Sequence, residues 1–210
     1  MRIISIQSQV VYGHVGHSAA VQPMQAMGLE VAAVPTTLLS NHPHYPTMRG
    51  RILETELVAD LLLGVEERDL PMTAGAVVTG YMGSAANAAA TAGFLRRWKA
   101  RNPALLHICD PVIGDVGRGI FVRPGIPEFM RDQAVPAADI ITPNHFELEY
   151  LSGRTVTTLA DARAAVEAIR ANGPRIVMVT SLIVEDTPDD SIDLIACGPN
   201  GAFRLRTPRL

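Results

Sequence analysis

Two apolar runs that stop abruptly at hydrogen-bonding residues constrain this chain more than any other feature. Leu105, Leu106, Ile108 and Cys109 end at Asp110, within LLHICDPVIGD. Ala138, Ile140 and Ile141 end at Thr142, Pro143 and Asn144, within ADIITPNHFELE. Short apolar runs cut off by turn residues read as strands buried on both faces. In a sheet covered by helices, ligands collect at the carboxyl ends of the strands. Asp110, Asp115, Asn144 and Glu147 are therefore expected to converge on one crevice, where hard oxygen donors suit a magnesium-bound phosphate. Taken singly, these residues have plainer roles: Asp110-Pro111 starts a turn and Asn144 caps a helix.

The flanking sequence alternates in the same way. Residues 2–6, 29–34, 74–79 and 176–179 read as strands, and 18–27, 51–63, 85–100 and 159–171 as helices. Gly28 and Gly64 are expected to close the first two helices, and Pro23 to shorten or kink the first. Leu53, Leu57, Leu61 and Leu62 supply the apolar side of the second. A terminal hairpin is expected across Gly198–Gly201. The stretch PTTLLSNHPHYPTMRG, from Pro35, is too rich in proline and histidine for a helix and reads as a lid or binding loop. Its His42, His44 and Tyr45 lack regular metal-ligand spacing. The alternation implies one α/β domain over residues 1–210, three-layered, with a mostly parallel sheet.

Composition narrows the function. At a net charge of -3 there is no electrostatic reason to expect nucleic acid or an anionic membrane as partner. No apolar run approaches the roughly 20 residues that span a bilayer. The N-terminal MRIISIQSQVVYGH turns polar too soon for a secretory signal. Cys109 and Cys197 lie inside apolar runs and read as buried thiols of a cytoplasmic protein.

Several segments together resemble the pyridoxal kinase family of the ribokinase-like superfamily. They are Ile6-Gln7-Ser8 with VVYGHVGHSAA, Ser40-Asn41-His42, Thr79-Gly80-Tyr81, CDPVIGD, TPNHFELEYLSG and GPRIVMVTS, collinear over essentially the whole chain. The resemblance implies a ribokinase-like fold and transfer of the ATP γ-phosphate to the 5′-hydroxyl of pyridoxal. It implies that Ser8 hydrogen-bonds the pyridine ring or its 3-hydroxyl, with Tyr81 and His42 beside the substrate. Asp110, Asp115, Thr142 and Glu147 would hold a hydrated Mg2+, with a monovalent cation as a further possibility. Asp110 and Glu147 would also border the nucleotide, and Asn144 and Thr180 would contact its phosphates. A homodimer is the expected assembly. These roles agree with phosphoryl transfer, which needs positioning and charge neutralisation above all.

Two departures stand out. Pro43 occupies a position where the family often has threonine, which removes a hydroxyl and an amide donor near the vitamin. The family's Gly-x-Gly-Asp segment, whose aspartate is the general base, does not occur in these 210 residues. The expectation is a chain incomplete at its C-terminus, with that aspartate beyond Leu210. Two alternatives remain open at this stage. One is a truncated, non-catalytic protein that binds pyridoxal or its phosphate. The other is an enzyme resembling the hydroxymethylpyrimidine kinases.

Overall fold

The computed structural model describes residues 1–43 and 45–209. His44, one of the loop histidines, lies outside the described residues. In chain order the first elements are β1 (Arg2–Tyr12), α1 (His17–Ala26), β2 (Glu30–Asn41), β3 (Gly50–Ile52), α2 (Thr55–Glu67), α3 (Leu70–Thr73) and β4 (Ala74–Thr79). Next come α4 (Ala85–Arg101), β5 (Leu106–Cys109), the short strands β6 (Gly114–Asp115) and β7 (Gly119–Ile120), and α5 (Ile126–Phe129). A π-helical turn at Met130–Ala134 leads to α6 (Val135–Ala137), β8 (Ile140–Ile141) and α7 (His145–Ser152). The last are α8 (Leu159–Arg170), β9 (Ile176–Leu182), β10 (Ser191–Gly198) and β11 (Gly201–Pro208). The fold is α/β, with a large, mostly parallel central sheet flanked by helices.

The chain packs as two compact units. The first comprises Met1–Ile108 with Arg123–Phe129. Its strands run in the order β5-β4-β1-β2-β3, with β1 parallel to both β2 and β4, and β3 antiparallel to β2. Ile4, Ile6, Val58, Val77, Ala88 and Phe94 are fully buried in its core. Burial of each large side chain contributes roughly 1.5–3 kcal/mol. Asn87, also fully buried, ties α4 to α2: its Oδ1 accepts from the Thr55 hydroxyl at 2.8 Å and its Nδ2 donates to the Leu53 carbonyl at 3.2 Å.

Four local expectations are corrected in this unit. β1 does not stop before Gln7-Ser8 but continues to Tyr12. Its pairing with β2 resumes after an irregularity between Gln7 and Gln9 and reaches Tyr12 opposite Asn41. The strand tolerates its polar residues because they are satisfied within the sheet, as where the Gln7 amide donates to the Ser5 hydroxyl at 2.9 Å. The stretch from Pro35 is not an irregular loop throughout. β2 runs to Asn41 and turns back through β3, pairing Thr37 with Ile52 and Leu39 with Gly50. α2 starts at Thr55 and passes Gly64, because the buried stripe is Val58, Leu62 and Val65, whereas Leu57 and Leu61 are exposed. α1 runs through Pro23 to Ala26.

The second unit comprises Cys109–Val122 with Met130–Leu210. Its strands follow the order β8-β9-β10-β11, with β8 and β9 parallel and the last two pairings antiparallel. β6 and β7 form a separate ribbon. The terminal hairpin closes at Gly198 opposite Gly201, as the turn sequence predicts. Asp193 of β10 is fully buried on that hairpin. It accepts from Arg206 Nε at 2.8 Å, from the Thr187 hydroxyl at 2.6 Å and from Arg204. Among the described residues, no helix is long and apolar enough to cross a membrane.

Candidate active site

In the second unit, Asp110 and Thr142, the residues that follow Cys109 and Ile141, come together. The Thr142 amide donates to the Cys109 carbonyl at 3.0 Å, and the Thr142 side chain donates to the Asp110 carboxyl. Directly after β8, Asn144 and Glu147 form a capping box at the start of α7. Asn144 Oδ1 accepts from the Glu147 amide at 2.9 Å, and Glu147 Oε2 accepts from the Asn144 amide at 2.9 Å. The other Glu147 oxygen, Oε1, accepts from the amides of Ile113 at 2.9 Å and Gly114 at 3.5 Å. Asn144 Nδ2 donates to the Gly114 carbonyl at 2.8 Å, so both ends of its amide already serve the protein. The helix-cap role of Asn144 is thus present in full.

The electrostatics of this cluster are unfavourable to two free carboxylates. Burial pushes the Asp110 carboxyl up to about 6, against the Thr142 hydrogen bond. Burial also pushes Glu147 up to about 8; the amide donors oppose that shift and the charge of Asp110 adds to it. A half-buried acid and a buried one, mutually repelling beside a hydroxyl, fit a divalent cation that keeps most of its water. Among the described residues, no group of three or more His, Cys, Asp or Glu side chains gathers to cage a bare ion. Asp115, next to Gly114, is exposed at the end of β6, where its carboxylate accepts from the Val116 amide at 2.8 Å. Thr180, in the C-terminal half of β9, donates its amide to the Pro143 carbonyl at 2.8 Å, while its hydroxyl lies 3.5 Å from the same oxygen.

These shifts set a stability prediction. Both folded-state values lie above those of an unfolded chain, so the stabilisation they bring is complete at low pH and is lost as pH rises through about 6 and then about 8. A divalent cation held by the ionised pair should reverse that loss. The melting temperature should therefore rise with added Mg2+ much more at about pH 8.5 than at about pH 5.5. An equal rise at both would remove the cation from this pair.

In the first unit, Ser8 is buried within β1. Gly16 packs against it so closely that a Cβ there would sit 2.2 Å from the Ser8 carbonyl oxygen and 2.4 Å from its hydroxyl. Gly16 also has φ +53°, so glycine is required on both counts. The next residue, His17, is buried, with Nε2 3.1 Å from the Ser5 carbonyl. Tyr81 follows β4, and its carbonyl accepts from the Thr36 hydroxyl at 2.6 Å. Burial pushes its phenol up, and nearby Arg123 opposes the shift. His42 lies in the turn beyond β2, which Ser40 and Asn41 organise. The Ser40 hydroxyl accepts from the Arg49 amide at 2.9 Å, and Asn41 Nδ2 donates to the carbonyls of His42 at 3.0 Å and Thr47 at 2.9 Å.

The family model described as phosphomethylpyrimidine kinase matches residues 13–210. Pyridoxal kinase PdxY of Granulibacter bethesdensis is 50% identical over 214 residues, covering 100% of this chain and 75% of the relative. The chain belongs to the pyridoxal kinase family. Solved members of the pyridoxal kinase family have the same fold. The crystal structure of pyridoxal kinase from Entamoeba histolytica aligns with a TM-score of 0.90 at 27% identity, covering 100% of this chain and 74% of that one. Pyridoxal kinase from Leishmania donovani in complex with ADP and pyridoxamine aligns at 0.89 and 28%, covering 100% and 75%.

Sequence reasoning missed two residues that the geometry brings forward. His17 opens α1 directly after Gly16, whose positive φ has no signature in the sequence. His145 is legible as the first residue of α7, since Asn144-x-x-Glu147 is a capping-box signature, but its partners are not.

Proposed function

We propose that this protein transfers the γ-phosphate of ATP to the 5′-hydroxyl of pyridoxal, giving pyridoxal 5′-phosphate. The observation that carries the reading is the Asp110–Glu147 pair, a half-buried acid after β5 and a buried one in the first turn of α7, suited to a hydrated cation on a nucleotide phosphate. The pyridoxal kinases to which the chain is similar supply the acceptor. Mg2+, entering with ATP, neutralises charge on the transferring phosphoryl group. Asp110 and Glu147 hold its water, and Thr142 orients Asp110. The Thr180 hydroxyl, only weakly held at 3.5 Å, is free to donate to a phosphate oxygen. Ser8 hydrogen-bonds the pyridine ring, and Tyr81 and His42 flank it. We assign no general base among these residues, and Asp115, Asn144 and a monovalent cation keep supporting roles. A cytoplasmic homodimer belongs to the same reading.

The pyrimidine-kinase description of the family model favours one second reading, with a hydroxymethylpyrimidine as acceptor. The test is ATP-dependent formation of pyridoxal 5′-phosphate by the protein and by Asp110→Asn, with a hydroxymethylpyrimidine as competing acceptor. Turnover of pyridoxal that requires Mg2+ and is lost in the variant is the expected result. Preferential phosphorylation of the pyrimidine would overturn the choice of acceptor. Pyridoxal binding without phosphoryl transfer would leave a binding protein.

A further inference from the structure

We infer that His145 is a positioning residue for nucleotide binding, acting through the backbone that carries Thr180. The inference rests on the kinase reading above. His145 opens α7, between the cap Asn144 and the acid Glu147, and its side chain is only 12% exposed. Both ring nitrogens have defined partners. Nε2 lies 3.1 Å from the Val156 carbonyl, which can only accept, so Nε2 carries the hydrogen. The Ile183 amide donates to Nδ1 at 3.4 Å, so Nδ1 is bare. The imidazole therefore spans from the segment after α7 to the end of β9.

The β9 end is where this matters. Thr180 is hooked to the Pro143 carbonyl by its amide at 2.8 Å, and Ile183 is hooked to His145 three residues later. Between the two hooks Ser181 has φ +51°, a left-handed conformation that a serine seldom adopts unless its surroundings impose it. The two anchors on 143–145 supply that constraint. They aim the Thr180 hydroxyl and the turned backbone at Ser181 from the same short segment that sets Glu147 in place. Removing the Nδ1 acceptor releases one anchor, lets the strand backbone at Ser181 relax toward an ordinary conformation, and takes the phosphate-facing group out of line.

The ring nitrogens can be separated by substitution. Asparagine places an acceptor near the Nδ1 position, glutamine places a donor near Nε2, and alanine supplies neither. The measurements are the dissociation constant for ADP with Mg2+, and KM for ATP and for pyridoxal, on the protein and on His145→Ala, His145→Gln and His145→Asn. Supporting-shell residues of this kind typically contribute about tenfold to affinity, so the alanine and glutamine variants should bind ADP about tenfold more weakly. The asparagine variant should stay within about twofold of the parent, and KM for pyridoxal should be unchanged in all three. Should the alanine variant fail to fold, the comparison of asparagine with glutamine carries the same information. ADP affinity equal in glutamine and asparagine variants overturns the role of Nδ1. An equal rise in KM for pyridoxal and for ATP overturns a role confined to the nucleotide. A parent protein that binds no ADP overturns the kinase reading together with this inference.

Discussion

Replacing Glu147 with glutamine should lower phosphoryl transfer by about 10²–10³-fold, the range seen when one preorganised electrostatic group is removed. The carboxylate is nearly isosteric with the amide, so the loss isolates charge and hydrogen-bond polarity from shape. Glu147 presents acceptors on both sides: Oε1 faces the amides of Ile113 and Gly114, and Oε2 faces the amide of Asn144. Glutamine has one acceptor and one donor, so one side must meet an N–H head-on. If its NH2 faces Asn144, the capping box breaks; if it faces Ile113, the segment after Asp110 loosens. Either way the proposed cation would lose half its charge partners, and the Mg2+-dependent rise in melting temperature should vanish along with the rate. KM for pyridoxal should not move, since Ser8 and Tyr81 lie on other elements. A variant with parental rate and parental Mg2+ response would show that Glu147 is only a helix cap.

The second large effect is on stability. Asp193→Ala removes a carboxylate that is fully buried and receives Arg204, Arg206 and Thr187 at once. Leaving a buried charge without its partner costs about 3–5 kcal/mol. Arg204 keeps its two contacts to Asp186, at 2.7 and 2.9 Å, and both arginines reach solvent, so the low end, about 3 kcal/mol, applies. In a chain of this size that corresponds to a fall in melting temperature of roughly 6–12 °C. The guanidinium groups hold the Asp193 carboxyl well below the usual range. Its contribution is therefore present above the ordinary carboxylate value near pH 4 and is lost as pH falls below it. The gap between parent and variant should narrow in acid, and a gap under about 2 °C at neutral pH would show the network to be dispensable.

What could be read from the sequence followed from local causes. The β5 and β8 runs and their polar stops are short-range patterns, and Asp110 and Thr142, which meet, are the first residues past each run. The terminal hairpin was legible because Gly198-Pro199-Asn200-Gly201 can hardly be anything but a tight turn. The misjudged elements depend on partners distant in the chain. Gln7 and Ser8 look like the end of a strand until β2 is placed alongside them. Pro35 to Asn41 looks irregular until β1 and β3 pair with it on either side. Gly64 looks like a stop signal until Val65 is seen to extend the buried stripe. Within the site, carboxylates announce themselves as residue types. The reach of Asn144 to Gly114, 30 positions away, and of His145 to Ile183, 38 positions away, has no local signature.

The long β1–β2 ladder has a consequence for how a small molecule is received. From Arg2 opposite Glu30 to Tyr12 opposite Asn41, pairing is carried by main-chain hydrogen bonds, and β3 extends it on the far side of β2. Ser8 sits at the irregularity in that ladder, between Gln7 and Gln9, and His42 is the next residue beyond its end. The groups proposed to meet an aromatic ring are thus held from both sides by paired backbone. Little conformational freedom remains to be lost when a flat, rigid ligand arrives, so selectivity at this surface comes from fit to a shape already made. Analogues that need the ladder to give way should be rejected by enthalpy, whatever their hydrophobicity.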